Sequence, residues 1–225
     1  MAVTVEGTPT KATGTVTSLT WSHTVGGTGV GLFVGGSNVV GRNTTGVTFN
    51  GDALTELWDL GDTGVTDSTG YLMVSPDQVT GNVVLTIAGA ATIVAGFAVG
   101  LAGLETSSVA NAHRTLYTLA GGGAPDDSPS LTVVDSQNGD LVIDCAGVYA
   151  GGAPNDIAVG ADQTSQVEYD AYGGSSRSAG VSTEVASGAS TIMSWTQSNS
   201  SGYWAIGATA LVAAAGAAGV VTSRL

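Results

Sequence analysis

Charge is scarce in this sequence. Only 10% of its 225 residues are charged, against about 25% in an ordinary soluble domain. Positive charge is the rarer sign. The five basic residues, Lys11, Arg42, Arg114, Arg177 and Arg224, stand against 18 acidic ones. They are scattered, so no basic patch exists to neutralise phosphates, and nucleic acid is not an expected partner. An anionic membrane surface is excluded on the same ground. The net charge of −13 favours solubility and attracts cations, but it names no partner.

Cysteine is nearly absent as well. Cys145 is the single one, which rules out an internal disulfide framework and a cysteine-based metal centre. It lies in the apolar run Leu141-Val142-Ile143-Asp144-Cys145-Ala146 and reads as a buried, inert thiol in a strand. Histidine is limited to His23 and His113, far apart and without an HxH or HxxxH partner. Zinc needs three or four ligands, so both read as core or edge histidines, and no metal or cofactor is expected. The start, Met1-Ala2-Val3-Thr4-Val5-Glu6, has neither a basic segment nor an apolar run, so no secretory leader is expected.

A true membrane span is also lacking, although one stretch imitates it. Ile87 to Leu104 is almost wholly apolar and just reaches the length of a transmembrane helix. It carries Gly89, Gly96, Gly100 and Gly103 and has no flanking Lys or Arg, both unfavourable to a spanning helix. From residue 93 it alternates. Ile93, Ala95, Phe97, Val99 and Leu101 fall on one face, and Val94, Gly96, Ala98, Gly100 and Ala102 on the other. Period two is a strand signal, and the small second face implies a closely packed neighbour.

Glycine, by contrast, is abundant: 35 residues, about twice the usual share of roughly 7%. Thr, Ser, Ala and Val supply much of the remainder. This composition suits short strands and tight turns. Alternating segments recur at Val16–Val25, Gly29–Gly35, Tyr71–Ser75, Asn82–Ala88, Thr92–Leu104, Leu116–Leu119, Ser130–Asp135, Gly139–Ala150, Val167–Tyr172, Ser190–Gln197 and Tyr203–Val212. The clearest hairpin is Val47-Thr48-Phe49, Asn50-Gly51, Asp52 to Trp58, since Asn-Gly fills both positive-φ positions of a type I′ turn. Short strands separated by Gly, Asn, Asp and Ser predict an all-β antiparallel sandwich, jelly-roll-like. The expected organisation is an arm at 1–14, one sandwich domain at 15–213 and a tail at 214–225. Gly121–Pro129 and Gly151–Gly188 read as loops. Val94-Ala95-Gly96-Phe97, Cys145-Ala146-Gly147-Val148 and Trp204-Ala205-Ile206-Gly207 share a texture, but their unequal spacing argues against a solenoid.

No constellation points to catalysis. Gly26-Gly27-Thr28-Gly29-Val30-Gly31 lacks the Lys-Ser/Thr of a phosphate loop and reads as a turn. Glu168-Tyr169-Asp170 places two carboxylates on one strand face, as glycan-cleaving sandwiches do. In the E-x-D-x-x-E pattern, however, Gly173 holds the place of the acid/base. Asp126-Asp127, Asn155-Asp156 and Asp162 offer oxygens but no recognised Ca²⁺ spacing. Trp21, Trp58, Trp195 and Trp204 read mostly as core rather than as a sugar-stacking platform. Tyr149, Tyr169 and Tyr172, near Gly/Ser loops, are the candidate partner contacts.

The order of phrases carries a resemblance. Trp21-Ser22-His23-Thr24-Val25 precedes a Gly turn and Val30-Gly31-Leu32-Phe33-Val34. Val47 to Thr55, Val94 to Val99, Gly139 to Asp144, Met193-Ser194-Trp195-Thr196 and Tyr203 to Ala208 follow. Over about residues 15–213 this resembles jelly-roll-like β-sandwich domains of bacteriophage virion proteins and of some large bacterial surface proteins. The resemblance implies a virion structural protein on the outer capsid surface, a decoration or cement protein. Its partners would be the major capsid protein or another virion protein and further copies of itself, with either end of the chain as a docking segment. The alternative it allows is a carbohydrate- or host-receptor-binding module.

Overall fold

The structure, a computed structural model, describes residues 2–26, 31–38, 42–60, 66–76, 80–121, 129–149, 156–170, 176–198 and 202–215. The strands are β1 (Thr4–Val16), β2 (Ser18–Thr24), β3 (Gly31–Asn38), β4 (Thr44–Phe49), β5 (Asp52–Ala53), β6 (Thr55–Asp59), β7 (Thr69–Val74), β8 (Thr80–Ile87) and β9 (Thr92–Ala102). After the short helix α1 (Val109–Ala112) come β10 (Tyr117–Gly121), β11 (Ser130–Val133), β12 (Leu141–Tyr149), β13 (Ile157–Val159), β14 (Thr164–Tyr169), β15 (Arg177–Val185), β16 (Thr191–Gln197) and β17 (Tyr203–Leu211). All strand pairs within the sheets are antiparallel, so the expected all-β sandwich architecture is present. Asn50 and Gly51 take φ of 52° and 95°, the turn that their side chains call for.

The sandwich occurs twice. The first half builds sheets in the order β1-β9-β3-β7-β6 and β2-β8-β4-β5; the second builds β10-β17-β12-β15-β14 and β11-β16-β13. The orders superimpose strand for strand, with β5 alone lacking a counterpart. Registers agree too. A bulge interrupts β6 between Glu56 and Trp58, and an equivalent bulge interrupts β14 between Ser165 and Val167. Gly35 pairs with Gly70 and Phe97, and its counterpart Cys145 pairs with Val181 and Gly207. Ser18-Leu19-Thr20 and Ser130-Leu131-Thr132 open the corresponding strands β2 and β11. This is a tandem repeat of one fold, not a solenoid.

The repeats stack through their five-stranded sheets, giving four layers and three apolar cores. Leu19, Trp21, Leu32, Val47, Phe49 and Leu85 fill the first outer core. Leu131, Val142, Met193, Trp195, Trp204 and Ile206 fill the second. Between them Phe33, Trp58, Phe97, Leu101, Ile143, Cys145 and Val181 form a central core drawn from both halves. Contacts across it are reciprocal, as a twofold relation requires: β3 lies on β12, β15 on β3 and β7 on β12. At the centre, a Cβ on Gly35 would sit 2.8 Å from Val181 Cγ2 and 2.9 Å from Cys145 Sγ. At one flank, Gly207 leaves room for the Trp58 indole. Ser68 Oγ accepts the Trp58 Nε1–H at 3.1 Å and donates to the Cys145 carbonyl at 2.7 Å, joining the halves.

Two expectations change. Residues 4–14, expected as a free arm, run along β9 as most of β1. The single sandwich at 15–213 is two units with a shared core. β15, expected as loop, is buried on both faces between layers, so its small residues Ser178, Ala179 and Gly180 show no alternation. Gly180 faces Trp195. Next to the Ala213 bridge to Leu104, the tail begins with Ala214 donating to the Gly103 carbonyl; from 216 onward it lies outside the described residues. Among the described residues no helix is long and apolar enough to cross a membrane. The stretch that imitated a span ends in β9, whose small face receives Trp21 against Gly96.

Gly35→Ala is expected to cost about 1–3 kcal/mol through overpacking at the centre. Gly46→Ala, where a Cβ meets nothing within 4 Å, should be near neutral; urea denaturation of the two variants makes the comparison.

Burial also sets a pH dependence. Desolvation raises Asp144 to about 7 and Asp59 to about 6, and it raises Asp67 well above the usual carboxylate range. The native state thus keeps protons that the unfolded chain releases, so this contribution falls as pH rises from about 4 to about 7. His23, lowered to about 4 by burial, acts oppositely below its unfolded value of 6.5. The three carboxylates outweigh one imidazole, so Tm should be a few degrees higher at pH 5.5 than at pH 8. Asp144→Asn should flatten that slope in calorimetry.

Candidate functional site

The tyrosines expected as partner contacts do not come together in one open patch. Tyr169 is half-buried, its ring 5.9 Å from Phe97, with Lys11 Nζ 4.3 Å from the ring centroid. Lys11 also donates to the Glu168 carbonyl at 2.6 Å, so this cluster fastens one repeat to the other. Tyr149 is half-buried with the Arg177 guanidinium 4.6 Å from its ring centroid. Tyr172 lies outside the described residues, as do Asp126, Asp127, Asn155 and Gly173.

Most of the other sequence candidates are absorbed by structure; Asp162, at a φ of 65°, instead lines a shallow pocket of about 380 Å³ with Glu184. Glu168 Oε2 accepts from Ser165 Oγ at 2.8 Å, and Asp170 Oδ1 accepts the Ile157 N–H at 3.0 Å. All four tryptophans are buried. Cys145 is fully buried, its thiol pKa pushed up by desolvation, and it donates to the Gly36 carbonyl. Asp144 is enclosed by donors: Ser182 N and Oγ to Oδ1, and Trp195 Nε1 to Oδ2, each at 2.8 Å. Among the described residues no group of three His, Cys, Asp or Glu is placed to hold a metal ion.

A cleft of about 440 Å³ opens where β1 crosses the end of β2. β1 loses register with β9 between Glu6 and Thr10, and Gly7 takes a φ of 69° there. The detour opens a gap lined by Glu6, Thr8, Thr10, Ser22, His23 and Thr24. Alternation along β2 sends His23 inward with Leu19 and Trp21, leaving it 1% exposed. Thr10 Oγ1 accepts the Trp21 Nε1–H at 3.2 Å and shares a hydrogen bond with His23 Nδ1 at 2.9 Å. That contact orients the imidazole and leaves Nε2 without a partner; Glu6 Oε2 is likewise buried and unpartnered. Burial holds the ring neutral, with a pKa of about 4.

In the sequence His23 reads as a core or edge histidine, and Glu6 falls within the expected arm. Two signals were present: a lone inward polar residue at the end of an alternating strand, and a Gly directly after an acid. Neither is informative until β1 is known to lie over β2.

No family model, curated protein or solved structure matches the chain.

The geometry predicts that the His23 imidazole titrates with a midpoint near 4 in ring-resonance NMR of the folded protein. A midpoint near 6.5 would place the ring in solvent and contradict the description of the cleft.

Proposed function

We propose that this chain is a structural protein of a bacteriophage virion, bound to the outer capsid surface as a decoration protein. The observation that carries the reading is the four-layer build. Two sandwiches share a packed central core, so the chain is a stiff block whose interior is consumed by packing. Its outer sheets turn Ser18, Thr20, Ser22 and Thr24 on one side, and Ser130 and Thr132 on the other, towards solvent. The acidic surface suits a location away from packaged DNA. The phrase order that resembles virion sandwich domains adds to this. Binding to a lattice would stabilise the shell by mass action, because only the assembled state is bound.

β1 is committed to its own sheet, so docking falls to the outer faces and loops rather than to an N-terminal arm. Val134, Val185 and Ile192 are large apolar side chains exposed by 59%, 64% and 57%, all in the second repeat, and suit contact with a neighbouring subunit.

Mass spectrometry of density-purified particles from the source host tests the reading. The protein should be present at a fixed ratio to the major capsid protein, and adding it to shells that lack it should raise their melting temperature. Recovery only in the soluble fraction would contradict it.

A further inference from the structure

A separate group of unpartnered polar atoms lies at one end of the first outer core, between its two sheets. Strands β3, β7 and β6 are neighbours there. Thr69 of β7 pairs with Gly36 on one side and with Asp59 on the other. Two residues along, the Asn38 N–H donates to Asp67 Oδ1, and the Asp67 N–H donates to the Asn38 carbonyl at 3.3 Å. Alternation sends Asn38, Asp59 and Asp67 to the face that carries Tyr71, which is the face of the first outer core. Thr44 begins β4 in the facing sheet. Its N–H donates to Asp59 Oδ2 at 3.0 Å, and its carbonyl accepts from the Tyr71 hydroxyl at 3.2 Å.

Each of these four side chains keeps one buried oxygen without a partner: Asn38 Oδ1, Thr44 Oγ1, Asp59 Oδ1 and Asp67 Oδ2. Asn38 is 1% exposed, Thr44 3% and Asp67 0%. Asp59 is half-buried and marks the side open to solvent. Buried polar atoms are almost always paired, and leaving one unpaired is costly. The charges that act on the two carboxylates are negative as well, Glu56 on Asp59 and Asp59 on Asp67.

The second repeat lacks this group. By register Asn38, Asp67 and Thr44 correspond to Val148, Ser178 and Val159. Val148 pairs with Ser178 as Asn38 faces Asp67, and Val159 pairs with Trp195 as Thr44 pairs with Ile87. Val148 and Val159 belong to the second outer core, so that end is sealed by apolar packing. The oxygens of the first repeat are therefore not demanded by the fold.

We infer that Asn38, Thr44, Asp59 and Asp67 form a binding site for one Ca²⁺ ion. Ca²⁺ takes carboxylate, amide and other neutral oxygens in irregular sets, whereas Mg²⁺ demands a near-ideal octahedron. The two carboxylates balance its charge, and water on the Asp59 side completes the shell. Metal–oxygen distances of about 2.3–2.6 Å are shorter than the roughly 2.7–2.8 Å of a hydrogen bond to water. Oxygens packed too closely for a water thus still admit the ion. A proton shared by the two carboxylates is the competing way to satisfy them.

The inference is independent of the virion reading, because the purified full chain tests it. The chain is stripped with EDTA, dialysed and titrated at neutral pH with CaCl₂, and separately with MgCl₂ and NaCl. Up to about 10 mM CaCl₂, beyond the range of weak protein Ca²⁺ sites, the amides of Asn38, Thr44, Asp59 and Asp67 should shift. Those of Val148, Val159 and Ser178 should stay in place, and Tm should rise by several degrees. Asp67→Asn, which removes one ligand charge, should weaken Ca²⁺ at least tenfold. Thr44→Val, the residue of the second repeat, should weaken it severalfold and serves if Asp67→Asn does not fold. No response to CaCl₂, as a shared proton would give, overturns the proposal. So does an equal response to MgCl₂ or NaCl, or unchanged affinity in the folded variants.

Discussion

The close stacking of two five-stranded sheets is the constraint on which the rest of this molecule depends. Stacked sheets lie about 10 Å apart and interdigitate their side chains. Where β3 meets β12, that spacing requires a very small residue opposite a modest one: Gly35 faces Cys145 and Val181. Large side chains, Phe33, Trp58, Phe97 and Leu101, are placed around this contact. The high glycine content thus has a specific use. Gly70 and Gly207 each lie against the Trp58 ring, Gly96 against Trp21 and Gly180 against Trp195. Each indole is received by a strand that offers no side chain in its way.

Burial of both faces explains what was legible in the sequence and what was not. Strands with one wet face, such as β2 with its strict exposed–buried alternation, read clearly, and so did the Asn50-Gly51 turn, although only Asp52-Ala53 of the expected second arm pairs with β4 and Thr55–Asp59 crosses to the other sheet as β6. β12 read as a long apolar run because both its faces are covered. β15 is equally covered but is built from Ser, Ala, Gly and Thr, and that composition is indistinguishable from a loop until its neighbours are known. β1 was misread for the opposite reason. It is an edge strand, half-buried or exposed throughout and rich in Thr, with no apolar run to announce it. The duplication itself was hidden because only Ser-Leu-Thr is shared outright between β2 and β11, while loops of different length shift the spacing. The bulges at Leu57 and Gln166, positional and not chemical features, show the correspondence.

The candidate site illustrates how a repeated fold acquires a local difference. In the first repeat β1 detours between Glu6 and Thr10, and His23 of β2 lines the gap beside it. In one repeat the charges are complementary and close on themselves through Arg114 and Asp140. In the other, Glu6 has no cation among the cleft-lining residues, and His23 is held neutral by desolvation. The same backbone therefore carries an ion pair at this corner in one half and an open cleft in the other.

The central claim, that the two halves share one core across β3 and β12, is tested most directly by nuclear Overhauser contacts in the folded protein. The account predicts cross-peaks from the Gly35 Hα protons to Cys145 Hβ and the Val181 methyls, and from Gly207 Hα to the Trp58 indole. Their absence, with contacts inside each half intact, would show two independent sandwiches and contradict it.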